Sequence, residues 1–143
     1  MPVLRGKRAC VGMTTTTSTI PKARTFAGDA QEIRNVRHFV GQCIEGCPVA
    51  DDVTLLASEI ATNAIRHTAS GLDGTFCVLV QVVNSSVRVE VHDLGSDTAP
   101  AIRHTGSPEE SGAGLKLVDM IADRWGCHGS QLGRVVWFEL DWQ

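Results

Sequence analysis

The stretch from Val53 to His67 constrains the fold more than any other part of this chain. Val53, Leu56, Ala57, Ile60, Ala61 and Ala64 recur at three- and four-residue spacing, the pattern of a helix with one wide apolar face. Such a face has to be buried against another layer. The same segment carries Glu59, Asn63 and His67 at successive intervals of four, so all three stand on one side of that helix. A carboxylate and an amide have little reason to border a core stripe unless something polar fills the space opposite. A solvent-facing polar edge is the other reading of the pair.

The remaining elements supply the layer this helix needs. Ile20 to Phe26 reads as a first edge strand, and Asp29 as the N-cap of a helix whose stripe is Ile33, Val36, Val40 and Ile44, with Arg37 beside it. Gly41 weakens that helix, and Gly46 and Pro48 close the region. Asp51 or Asp52 starts the second helix, which ends between His67 and Gly71, before a turn at Leu72-Asp73-Gly74. Phe76 to Val83 and Val87 to Val91 are β-branched runs joined by Asn84-Ser85-Ser86, the mark of a hairpin. Ser96 to Glu110 has few apolar anchors and reads as a long mobile loop. A third helix is expected to open near Gly112 to Gly114 and to run through Leu115, Leu117, Val118, Ile121 and Ala122. Trp125 to Cys127 and Val135 to Leu140 read as final strands around a turn at Gly129 to Gly133. The order β, α, α, β, β, α, β, β predicts a two-layer α/β sandwich, a mostly antiparallel sheet covered by helices.

Residues 1–19, with the run Thr14 to Thr19, read as a flexible tail, and residues 20–143 as one domain. At 143 residues and 43% hydrophobic composition, one real core is affordable. A formal charge of -3 makes no general electrostatic case for nucleic acid or a membrane surface. No apolar run is long enough to span a bilayer. The N-terminus is basic, but its apolar run is too short for a signal peptide. With an odd number of cysteines, five, a disulfide framework is not expected, and a reduced, cytoplasmic setting is. Cys43 and Cys47 with His38 could begin a zinc site, but no second Cys or Cys/His pair completes it, and half-buried thiols are the simpler reading.

Three segments carry chemistry. The amide oxygen of Asn63 is a neutral ligand suited to Mg²⁺, which keeps several waters and takes few protein ligands alongside phosphates. Glu59, one turn earlier, could accept a proton from an attacking hydroxyl or water. Asp93 closes an alternating strand and could accept a hydrogen bond from an exocyclic amine such as that of adenine, and Gly95 lets a ring approach the backbone. Gly112-Ala113-Gly114 reads as a helix start, where backbone N–H groups and the helix dipole favour phosphate. Neither a Walker loop nor a dinucleotide fingerprint fits it.

Glu59-x-x-x-Asn63-Ala-x-x-His67, Asp93-x-Gly95 and Gly112-x-Gly114-Leu115 resemble, in order and spacing, the N, G1 and G2 boxes of the histidine kinase-like (Bergerat-fold) ATPase superfamily. Together with Trp125-Gly126 and the strand around Trp137, they look more narrowly like its bacterial anti-sigma factor/serine-protein kinase branch, over roughly residues 24–142. The resemblance implies ATP and Mg²⁺ as cofactors, with the metal on Asn63 and Glu59 as general base. It implies a nucleotide site formed by Asn63, Asp93, Gly95, Gly112, Ala113, Gly114 and Leu115. It also implies a small anti-anti-sigma (STAS-type) protein as phosphorylated partner, a sigma factor as a further one, and a homodimer. Where the family often has a basic residue between the glycines, this chain has Ala113, so a cation for the γ-phosphate has to come from Arg103 or Lys116, with His104 in the same loop. His67 can equally cap the carbonyls at its helix end.

Three functions follow as alternatives. One is an ATP-dependent serine/threonine kinase of anti-sigma type. Another is a non-catalytic, nucleotide-dependent interaction protein that binds a sigma factor or other regulator. The third is a stand-alone ATPase without a protein substrate. No phospho-accepting histidine helix accompanies the motifs, so a complete sensor kinase is not expected.

Overall fold

The computed structural model describes residues 20–67, 74–93, 108–130 and 133–142, with His67, residues 108–114 and Ser130 described by backbone alone. The proposed tail at 1–19, Gly95, Arg103 and His104 lie outside the described residues. Strand β1 (Lys22–Ala27) leads through a short 3-10 turn (Ala30–Glu32) into helix α1 (Ile33–Cys43) and then α2 (Ala50–His67). Strands β2 (Thr75–Val83) and β3 (Ser86–Asp93) form a hairpin, followed by α3 (Pro108–Ile121), β4 (Arg124–Ser130) and β5 (Gly133–Asp141). The element order is the one the sequence predicts.

The local causes are readable. Asp29 accepts a hydrogen bond from the backbone N–H of Gln31 at 3.0 Å, which caps the turn before α1. Gly46, just beyond α1, takes φ +87°, a left-handed conformation that favours glycine. Val83 pairs with Ser86, so the hairpin loop is only Asn84-Ser85, one residue shorter than expected. Asn84 sits there at φ 52°, a conformation Asn tolerates better than most residues.

The five strands run in the order β1-β2-β3-β5-β4. All four pairings are antiparallel. Because strand side chains alternate, one face collects Phe76, Val78, Val80, Val87, Val89, Val91, Val136, Phe138 and Leu140, all buried. The helices cover that face. From α2, Val53, Leu56, Ala57, Ile60, Ala61 and Ala64 are buried, with Val36 and Val40 of α1 and Val118 of α3 beside them. The three alanines let α2 lie close to its neighbours, and α2 packs against α1, α3 and β3. At the β1 edge Phe26 stacks on Phe76, ring centroids 5.6 Å apart, and meets Phe39 edge-on.

Among the described residues no helix covers the opposite face, which is held by charge. Arg88 bonds Glu90 at 2.7 Å and Glu139 at 2.9 Å, and its guanidinium lies 4.1 Å from the Trp137 ring centroid. Arg124 bonds Glu139 and Asp141, both at 2.6 Å, and His92 points outward onto Glu90. Opposite Trp137 stands Gly126, where a Cβ would fall 2.7 Å from the indole nitrogen. Trp125 lies on the helix-covered face, partly buried against the core, with its N–H donating to Asp119 at 2.9 Å.

Helix α3 begins at Pro108, four residues before the expected start at Gly112. Proline is well suited to the first helical position, where its missing N–H costs nothing and its fixed φ is already helical. The expected loop therefore gives its last three residues to the helix, and Gly112 to Gly114 lie within α3 rather than at its mouth.

Candidate functional site

The helix-covered face of the sheet ends in polar groups. In β3 the inward row Val87, Val89, Val91 is continued by Asp93, which strand alternation turns toward the helices; it is 4% exposed. A charge in that position needs a partner. Arg134, directly opposite in the β3/β5 register, places its Nε 3.3 Å from Asp93 Oδ2. Cys127 of β4 shares this end of the sheet. Burial pushes its thiol pKa up, the Arg134 charge works against that shift, and the Asp93 charge adds to it.

Facing this layer from α2, Asn63 is 7% exposed, buried beside the apolar stripe as Leu56 and Ile60 lead into it. Its side-chain amide has no hydrogen-bond partner among the described residues. Glu59, one turn earlier, is half-buried. The three hydroxyl side chains of α2 bond within the helix: Thr54, Ser58 and Thr62 donate to backbone carbonyls at 2.8, 2.9 and 2.8 Å. Asn63 is thus set apart from those hydroxyls as a buried amide with no hydrogen bond to another described residue.

Of the other residues read from the sequence, Leu115 is half-buried against the core. Lys116 is exposed on α3. Gly112, Ala113 and Gly114 are in the early part of α3, which packs on α2. In this helical conformation the N–H groups without an intrahelical partner belong to the residues before Gly112. The α2 and α3 segments and Asp93 are therefore brought around one helix–sheet layer, while Gly95, Arg103 and His104 fall outside the described residues.

No group of three His, Cys, Asp or Glu is placed to hold a metal among the described residues, so Cys43, Cys47 and His38 do not make a zinc site. Burial pushes the Cys43 thiol up, against the Lys22 charge, as expected of a structural thiol. The donor set does fit Mg²⁺ in one form: a neutral amide oxygen at Asn63, with water and phosphate completing the shell.

Sequence reading missed Arg134 and Cys127. Alternation back from Leu140, Phe138 and Val136 puts residue 134 on the inner face, but only strand register shows that it meets Asp93.

A helical layer over an antiparallel sheet, with a buried amide and a buried carboxylate at its end, defines the class as a two-layer α/β sandwich with a polar end to its core. The model of the histidine kinase-like ATPase domain matches residues 26–140, and the chain belongs to that family. ATP binding is the property that membership implies. Among solved structures, the fold is similar to that of the RsbU and RsbW domains of Rv1364c from Mycobacterium tuberculosis, with TM-score 0.65 and 18% identity over 86% of this chain. The match takes in 32% of that longer chain, so this chain spans about a third of its length. No curated protein matches the chain significantly.

Proposed function

We propose that this protein is an ATP-dependent serine/threonine protein kinase of anti-sigma type, acting in the cytoplasm on a small anti-anti-sigma (STAS-type) partner. The observation that carries the reading is the placing on α2 of a buried amide, Asn63, one turn from a half-buried carboxylate, Glu59, over the same layer that Asp93 enters. The likeness to a structure containing an RsbW domain supports it.

In this reading each residue has one task. Asp93 accepts a hydrogen bond from the adenine amine and orients the nucleotide. Asn63 offers its amide oxygen to the metal, and Mg²⁺, when bound, supplies charge neutralisation between the phosphates. The α3 segment Gly112-Ala113-Gly114-Leu115 lies along the phosphates, with Gly95 against the base. Glu59 takes the proton from the incoming serine or threonine hydroxyl. The hydroxyl oxygen bonds to the γ-phosphorus as the bond to the β–γ bridging oxygen breaks, leaving ADP. Most of the rate comes from positioning and charge stabilisation. Lys116 is the described cation on α3 that could approach the γ-phosphate. A sigma factor as second partner and a homodimer belong to the same proposal.

Ala113, where a basic residue is common, favours one second reading: a non-catalytic protein whose contacts with a regulator are set by nucleotide. Incubation with labelled ATP, Mg²⁺ and candidate anti-anti-sigma proteins separates the two. The kinase reading expects label on a serine or threonine of the partner, and Glu59→Gln should bind ATP yet lose that transfer. Transfer at the normal rate by the variant removes Glu59 as the base. ATP binding with no transfer to any candidate leaves the interaction reading.

A further inference from the structure

The Asp93–Arg134 pair is not used by the proposal above beyond the carboxylate. Arg134 engages Asp93 through Nε, at 3.3 Å, and its side chain is 32% exposed. A guanidinium carries five N–H donors, and the terminal ones of Arg134 meet no acceptor among the described residues. The two residues stand opposite one another on neighbouring strands, so the sheet fixes their backbone positions, and the Nε–Oδ2 contact holds the guanidinium beside the carboxylate. Gly129 lies next to Arg134 on β4, and a Cβ there would fall 2.7 Å from the Gly133 carbonyl and 2.8 Å from Arg134 Cα. The backbone that carries Arg134 is therefore tightly packed at its Cα.

An isolated carboxylate facing position 6 of a purine accepts from an amino group and repels a 6-oxo group. A carboxylate with a guanidinium beside it presents acceptor and donor together. It can meet an adenine edge, where the amine donates and a ring nitrogen accepts. It can equally meet a guanine or hypoxanthine edge, where O6 accepts and N1–H donates. Arginine pairing with guanine O6 is a common contact in base recognition, and a bond to a charged donor is stronger than a neutral one.

We propose that Arg134 is a specificity-determining residue that opens this base site to 6-oxopurine nucleotides, GTP and ITP, as well as ATP. The inference rests on the nucleotide-site reading and deepens it.

Competition of unlabelled ATP, GTP, ITP and CTP against a fluorescent ATP analogue, with Mg²⁺ and the full chain, tests it. The expected result is GTP and ITP binding within roughly tenfold of ATP, the scale of one charged hydrogen bond, with CTP weaker. Arg134→Ala should then weaken GTP and ITP by roughly tenfold more than ATP, and Arg134→Lys, which keeps a cationic donor, should recover part of the loss. If ATP competes and GTP and ITP do not, the inference is overturned while the ATP site stands. Equal losses for all three purines in Arg134→Ala also overturn it, since that is what a purely structural role produces. If no nucleotide binds the wild-type chain, the nucleotide-site reading itself fails. The wild-type competition decides the first point whether or not a variant folds.

Discussion

Asn63 is the residue on which the nucleotide reading depends most. Asn63→Ala removes the amide oxygen and leaves the apolar stripe of α2 intact. The expected outcome is a folded protein, with circular dichroism like wild type, whose Mg²⁺-dependent ATP binding is weakened at least tenfold by titration calorimetry. Unchanged Mg²⁺ dependence would sink the metal assignment. Gly126 makes a prediction of another kind. A Cβ there would collide with Trp137, so Gly126→Ala should destabilise the fold by about 1–3 kcal/mol, as overpacking does. Combined with Trp137→Ala the loss should shrink, and a double-mutant cycle on urea midpoints measures that coupling. At this scale the sequence was informative about Glu59, Asn63 and Asp93, because polar residues inside apolar periodicity stand out. It was silent about Arg134 and Gly126, whose roles depend on what register places opposite them.

At the scale of elements, α2 is the centre of the helical layer and β3 and β5 the centre of the sheet. Leu56 and Ile60 are fully buried between them, and truncating either to alanine should cost about 2–5 kcal/mol, read as a lower urea midpoint. Exposed Leu55 on the far side of the same helix should tolerate alanine with a much smaller change. Helix and strand assignments were legible because periods of 3.6 and 2 were clean in α1, α2, β2 and β3. The start of α3 was not. Two glycines drew the expected boundary to Gly112, but Pro108 suits the first helical position and the helix begins there. Backbone N–H capture of phosphate at Gly112 to Gly114 would therefore need α3 to begin later than it does here. Hydrogen exchange with and without Mg-ATP over residues 108–114 reads out whether it does.

At the scale of the whole molecule, ligand and pH act on the same folding equilibrium. A nucleotide that binds only the folded state stabilises it by about 2.7 kcal/mol at a hundred times its dissociation constant, so the melting temperature should rise with Mg-ATP, and rise by less in Asn63→Ala at the same concentration. The ion network on the uncovered face sets the acid response. Burial alone would raise the Glu90 pKa, but hydrogen bonds from Arg88 and His92 outweigh it and hold the carboxyl below its usual value. A carboxylate depressed in the folded state contributes stability above its ordinary range and loses it as pH falls through the lowered value. Glu90→Gln should therefore be less stable than wild type at neutral pH and show a shallower loss of stability on acidification. Identical slopes for the two proteins in urea titrations at successive pH values would remove Glu90 from that account. Arg124, pushed above its ordinary value by Asp141 and, against burial, by Glu139, stays charged throughout and anchors the network. One of its guanidinium nitrogens, Nη1, is buried with no hydrogen-bond partner among the described residues.

The sequence by itself determined the order of elements, the buried face of α2, the polar residues that interrupt it and the family whose motifs they match. Those are local facts, set by side-chain periodicity and by residue types with narrow conformational preferences. Only the tertiary structure decided that Asp93 faces Arg134, that Gly126 makes room for Trp137, and that the outer face is tied by Arg88, Glu90, Glu139, Arg124 and Asp141. Each of these pairs residues far apart in the chain, and a one-residue change of strand register would dissolve it.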